Sequence, residues 1–288
     1  MGALTETVPA LFRWSRLCVT RPAGEAEAWV QALVEAGWPA LAVPLVDIVS
    51  PQDPIARGAL DRVRRHWADE DALMFVSAAA VQHFFAAVPP ISNPPTRTRF
   101  WAPGPGTART LERVLRSLGV PSTQIDSPPD HAQQFDSEHL WPVVADQVRS
   151  GFRLLVVRGA SVGAVASGDP AGLAGQGRDW LIQRCRERGA VVEACVAYER
   201  HAPCWSLEQA AAASAGAAPG SLWIFSGSQA VHHLRAALPD HDWSQAAALC
   251  THERIAATAR AAGFGQILIS RPTLSDVLLS LESAQAPS

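Results

Sequence analysis

The chain is doubled. The segment LMFVSAAAVQHFFAAVP at 73–89 returns with one gap as LWIFSGSQAVHHLRAALP at 222–239, so Leu73 answers Leu222, Ser77 Ser226, Val81 Val231, His83 His233 and Pro89 Pro239. RLCVTRP at 16–22 has a counterpart in RLLVVRG at 153–159, and each leads through a helical pattern to a glycine, Glu35-Ala36-Gly37 and Glu187-Arg188-Gly189. RFWAPGPGTARTLERVLRSLG at 99–119 is matched more loosely by ALCTHERIAATARAAG at 248–263. Self-similarity on this scale constrains a fold more than composition does. Each copy is a short apolar run, a small or hydroxyl-bearing turn and an amphipathic helix, in the order a (16–47), b (73–89), c (99–125), then a (153–198), b (222–239), c (247–269). Such units predict parallel sheets covered by helices on both faces. The fold class is doubly wound α/β, twice over. Gly37, Gly119, Gly189 and Gly263 stand where helix C-caps belong.

At 288 residues the chain is about two ordinary domains long. With 48% hydrophobic and 18% charged residues it has ample material for two cores. Simple duplication would divide it near residue 150. The clearest punctuation, however, follows each a unit, at Ser50-Pro51-Gln52-Asp53-Pro54 and Arg200-His201-Ala202-Pro203. Linkers there would join the first a to the second b and c. A net charge of −3 favours neither nucleic acid nor an anionic membrane surface. The most apolar stretch, Leu41 to Val49, is too short to span a bilayer and contains Pro44 and Asp47. The start lacks an apolar signal core, and Glu6 breaks the myristoylation pattern, so residues 1–14 read as a loose tail. The five cysteines are odd in number and contain no C-x-x-C; three lie inside strand-like runs and read as buried thiols, and a reducing cytoplasm is the expectation.

In open parallel sheets, ligands bind beyond the carboxyl ends of the strands. The turns there are Thr20-Arg21, Ser77, Gly104-Pro105-Gly106-Thr107, Arg158-Gly159, Ser226-Gly227-Ser228 and Thr251. Each alone reads as a helix cap. Together, small, hydroxyl-bearing or Arg residues opening helices form a set of anion sites, because free N–H groups and helix dipoles favour negative charge. A polyanion in a cleft between the two lobes is the expectation. Gly104-Pro105-Gly106 is half a dinucleotide fingerprint, but Arg109 occupies the place of the third glycine. Gly168 to Gly177 is glycine-rich without a G-K-[ST] ending and reads as a flexible insertion. The histidines form no H-E-x-x-H, so no metal is expected. His83 and His233 hold equivalent helix positions, which suggests a structural use. The ten tryptophans are scattered singly. Tyr198 is the only tyrosine, at the end of the strand-like run AVVEACVAY, and the equivalent run PALAVPLVDIV has none.

These residues together make the chain similar to uroporphyrinogen-III synthases over roughly residues 15–283. The matching stretches are VTRP (19–22), FVSAAAV (75–81), the turn with Thr107, VVRG (156–159), GRDWL (177–181), RGAVVEACVAYER (188–200), IFSGSQAV (224–231) and THERIA (251–256). The chain departs from the family pattern at Ala160 to Gln176. The resemblance implies two flavodoxin-like lobes, 1–48 plus 203–288 and 51–199, with hinges 49–55 and 200–204 forming a two-stranded linker. It implies cyclisation of hydroxymethylbilane, a carboxylate-rich linear tetrapyrrole, by a cytoplasmic monomer using no metal or organic cofactor. On the matching stretches it implies Tyr198 as the catalytic residue. The substrate-binding set it implies is Thr20, Arg21, Ser77, Ala78, Gly106, Thr107, Arg158, Gly159, Ser226, Gly227, Ser228, Thr251 and Arg254. A non-catalytic tetrapyrrole-binding protein and a nucleotide- or phosphosugar-using enzyme are the rival readings.

Overall fold

The computed structural model describes residues 14–88, 94–129, 137–161 and 176–285. In chain order, β1 (Arg16–Val19), α1 (Ala23–Glu35), β2 (Ala40–Ala42) and β3 (Asp47–Val49) come first. They are followed by α2 (Pro54–His66), β4 (Ala72–Phe75), α3 (Ala78–Phe85), β5 (Arg99–Trp101), α4 (Pro105–Ser117), β6 (Ile125–Asp126) and α5 (Ser137–Val144). Then come β7 (Arg153–Ser161), α6 (Gln176–Glu187), β8 (Val191–His201), α7 (Leu207–Ala215), β9 (Ser221–Phe225) and α8 (Ser228–Ala237). The chain closes with β10 (Ala247–Cys250), α9 (Glu253–Ala261), β11 (Gln266–Ile269) and α10 (Leu274–Gln285).

The chain divides into two compact units, Met1–Asp47 with Ala202–Ser288, and Ile48–His201. One sheet runs β11-β10-β9-β1-β2, the other β3-β8-β7-β4-β5-β6. β1 pairs in parallel with β9, and β4 with β7, so first and second halves of the chain share both sheets. The run PALAVPLVDIV does not form one strand as its counterpart does. It splits into β2 in one sheet and β3 in the other. Pro44, between β2 and β3, lacks the N–H that one continuous paired strand would donate there, and each piece ends as an edge strand of its sheet. The freed carbonyls are used: Trp205 Nε1 donates to Pro44 O at 2.8 Å, and His233 Nδ1 donates to Leu45 O at 2.6 Å.

Strand alternation sorts each core. In the five-stranded sheet, Leu17, Val19, Leu222, Ile224 and Leu249 face α1 and α10, meeting Ala26, Leu33, Val277 and Leu281. Trp14 belongs to this cluster at 5% exposure, so the expected tail stops before it; residues 1–13 lie outside the described ones. On the opposite side Trp223 and Phe225 stack at 6.0 Å, with Trp243 edge-on to Trp223 at 5.5 Å. Trp223 and Trp243, twenty residues apart in the sequence, thus meet in space. In the six-stranded sheet β4 is wholly buried, and β7 lies between it and β8. The predicted cap glycines Gly37, Gly119, Gly189 and Gly263 take φ of 88°, 73°, 81° and 97°, which side-chain-bearing residues rarely adopt. Cys18, Cys185, Cys195 and Cys250 are buried, and burial pushes their thiols up to about 12, leaving them unreactive. Among the described residues no helix is long and apolar enough to cross a membrane. The sequence departure at 160–176 falls mostly on residues outside the described ones.

Candidate functional site

Parallel pairing puts all carboxyl strand ends of a sheet on one edge. In the six-stranded sheet that edge carries Ser77 and Ala78 after β4, Gly106 and Thr107 in the first turn of α4, Arg158 and Gly159 in β7, and Tyr198 in β8. Tyr198 is 2% exposed. Its burial comes from a change of register: Arg158 pairs with Val196, but Gly159 pairs with Tyr198, so Ala197 is an extra residue in β8. A one-residue slip turns the following side chain to the other face. Cys195, Ala197 and Tyr198 are consequently all buried. The ring lies directly over Gly159, where a Cβ would come within 2.3 Å of Tyr198 Cζ. His83 of α3 packs against the ring at 5.8 Å. Burial, and then the Arg64 charge, holds His83 below its ordinary value of 6.5.

The phenol oxygen of Tyr198 lies 3.0 Å from Ser77 Oγ and accepts from Arg200 Nη2 at 2.7 Å. Ser77 is also the N-cap of α3, accepting from Ala80 N at 3.2 Å. Gly106 is open: a Cβ there meets nothing within 4 Å. Thr107 is buried in the same turn. The N-cap of α4, Gly104, supplies no side-chain hydrogen bond, so that helix presents free N–H groups.

The five-stranded sheet has its own edge of turns. Thr20 is 2% exposed and donates to Ile224 O at 2.7 Å, which is a use within the fold. Arg21 pairs with Glu25 at 2.9 Å, reaches Pro272 O at 3.3 Å and lies 3.9 Å over the Trp29 ring. Ser226 is exposed, and Gly227 caps α8 without a side-chain bond in open space. Ser228 Oγ is buried with no hydrogen-bond partner among the described residues. Thr251 is half-buried, its N–H bonded to Phe225 O at 3.1 Å. The cap of α9 is His252 rather than Thr251, accepting from Arg254 N at 3.0 Å, while Arg254 is exposed.

The sequence reading missed three things. Arg200 and His83 flank Tyr198, and nothing in a linear string shows that contact. The turn Ser270-Arg271-Pro272-Thr273 lies at the same sheet edge, after β11; its own apolar run followed by hydroxyl and Arg residues was a legible signal. Beside it an open cavity of about 650 Å³ is lined by Ser270, Arg271, Asp276 and Ser280. No group of His, Cys, Asp and Glu among the described residues suits a metal ion.

A family model described as uroporphyrinogen-III synthase HemD matches residues 27–278. A substituted uroporphyrinogen III synthase from the extremely thermophilic bacterium Thermus thermophilus superposes with a TM-score of 0.50 at 16% identity, covering 93% of this chain and 98% of that one. The Helicobacter pylori protein described as a uroporphyrinogen-III synthetase covers 93% of this chain and 99% of its own at 13% identity, with a TM-score of 0.45. No curated protein matches the chain. The first superposition shows the shared α/β fold, and the family match spans most of the sequence. This chain belongs to the uroporphyrinogen-III synthase family.

Proposed function

We propose that the chain cyclises hydroxymethylbilane to uroporphyrinogen III, with loss of water and inversion of ring D, as a hydro-lyase of tetrapyrrole and haem biosynthesis. The observation that carries this reading is the family match over residues 27–278. The strand-end turns support it chemically. Three helices, α1, α4 and α8, start at Pro22, Gly104 and Gly227 without a side-chain cap. Their N–H groups and dipoles suit the carboxylates of a tetrapyrrole without a positive surface, and Ser226, Ser228, Thr251 and Arg254 extend the donor set. A nucleotide reading has less support, because Arg109 stands in the first turns of α4 where the fingerprint requires glycine.

The pyrrole nitrogen of ring A pushes out the hydroxyl of the hydroxymethyl group. The C–O pair leaves with oxygen, an exocyclic C=C forms, and the oxygen departs as water with the proton that the nitrogen releases. Ring D then attacks through its substituted carbon, and the spiro intermediate fragments and recloses with that ring inverted. The Ser77–Tyr198 hydroxyl pair is the group we assign to the leaving oxygen. Unassisted closure yields the uninverted isomer, so positioning is the main task. In this reading 49–55 and 200–204 are hinges between lobes 1–48 plus 203–288 and 51–199. The protein works as a cytoplasmic monomer on a small molecule, without nucleic acid or cofactor.

The test supplies hydroxymethylbilane, oxidises the product and separates the porphyrin isomers. Isomer III formed well above the buffer rate is expected. Isomer I alone, at the buffer rate, overturns the reading.

A further inference from the structure

Counting protons around Tyr198 fixes the direction of a hydrogen-bond chain. A phenol has one proton and can accept two hydrogen bonds; a serine hydroxyl has the same inventory. Arg200 can only donate, so Tyr198 Oη accepts from it at 2.7 Å. The 3.0 Å contact between Tyr198 Oη and Ser77 Oγ can run either way on distance alone. If Ser77 donated, the phenol proton would have no acceptor among the described residues, in a side chain only 2% exposed. A buried unsatisfied donor is costly. The phenol therefore donates to Ser77. Ser77 Oγ then accepts twice, from Tyr198 and from Ala80 N at 3.2 Å. Its own proton has no protein acceptor among the described residues. It is left for a ligand, from a residue that is half-buried rather than sealed.

Resting on the proposed activity, we infer that Arg200 is a positioning residue that acts through Tyr198 to hold the Ser77 hydroxyl as a one-way hydrogen-bond donor to the leaving oxygen of the substrate. Each donor in such a chain polarises the next, so Arg200 strengthens a hydroxyl it does not touch. Tyr198 is then a relay, and the group that meets the substrate is Ser77. The chain is built locally: Arg200 is two residues beyond Tyr198 in β8, and its guanidinium also lies 5.0 Å from the phenol ring.

The test is a double-mutant cycle on the full chain at saturating hydroxymethylbilane. Ser77→Ala and Tyr198→Phe should each lower kcat roughly tenfold to a hundredfold, the low end of general-acid assistance. Arg200→Met should lower kcat about threefold to tenfold, because it acts one step removed. Its KM should stay within about twofold, since it does not bind substrate. In the Ser77→Ala background, Tyr198→Phe and Arg200→Met should each add less than about twofold, because the hydroxyl they serve is gone. Ser77→Thr, which restores a hydroxyl, should restore their effects. If Ser77→Ala does not fold, Ser77→Gly takes its place, as helix caps tolerate glycine. Full multiplicative losses in the double variants overturn the relay, as does a raised KM with unchanged kcat for Arg200→Met. A wild type that makes only isomer I overturns the activity and the relay together; an active wild type with multiplicative doubles overturns the relay alone.

Discussion

Gly159 and Tyr198 occupy one space, and each explains the other. The ring lies where a Cβ on Gly159 would sit, at 2.3 Å from Cζ, between neighbouring strands that cannot separate without breaking the ladder. Gly159→Ala is therefore expected to lower stability by about 1–3 kcal/mol, the usual consequence of overpacking, as read from the urea midpoint. An unchanged midpoint would mean that the ring is not held over Gly159. The sequence assigns Gly159 to the substrate through its VVRG stretch, and the structure adds a packing duty that the string does not reveal. Thr20 is similar: a hydroxyl after a strand reads as a ligand donor, yet this one is turned inward onto Ile224 O. A residue's type shows what bonds it can make. Only its surroundings show which of them it has already made.

Among helices, the capping pattern separates two kinds of N-terminus. Asp53, Ser77, Ser206 and His252 close α2, α3, α7 and α9 with side-chain bonds, the third of these as a full capping box with Gln209. Pro22, Gly104 and Gly227 leave α1, α4 and α8 without one. If backbone N–H groups there receive carboxylates, filling the approach should harm binding and spare the fold. Both Gly106 and Gly227 face open space. Gly106→Leu, inside α4, is expected to keep or slightly raise stability, and Gly227→Leu to lower it by only about 1 kcal/mol as a lost cap, while KM for hydroxymethylbilane rises severalfold in both. Wild-type KM in both variants would move the carboxylate sites elsewhere. The turns themselves were legible, because small and hydroxyl residues after apolar runs stand out in both copies. Which of them cap their own helix was not legible, since Ser and Thr perform both tasks with the same atoms.

For the whole molecule, the topology makes one unit continuous and the other not. Ile48–His201 is a single stretch with its own buried core, whereas β1 and β2 need β9, β10 and β11 from beyond residue 202. The fragment 48–201 is expected to fold alone with a cooperative thermal transition, because its core contacts are internal. A fragment lacking any cooperative melt would show that its core depends on the rest of the chain. The other unit must close a long loop before its central strand pair forms, a slower entropic step. Its chain ends are well placed for that closure, with Cys204 N donating to Asp47 Oδ2 at 3.1 Å. By itself the sequence determined the doubled strand–turn–helix units, the parallel α/β class, the cap glycines and the turns, because periodicity and turn chemistry are local. Tertiary structure decided that PALAVPLVDIV divides between two sheets, since Pro44 only matters once the neighbouring ladders are present. It also decided which way Tyr198 points, because one extra residue in β8 turns the side chain over. That register is set by pairing with β7 across the sheet, and no local pattern in either strand encodes it.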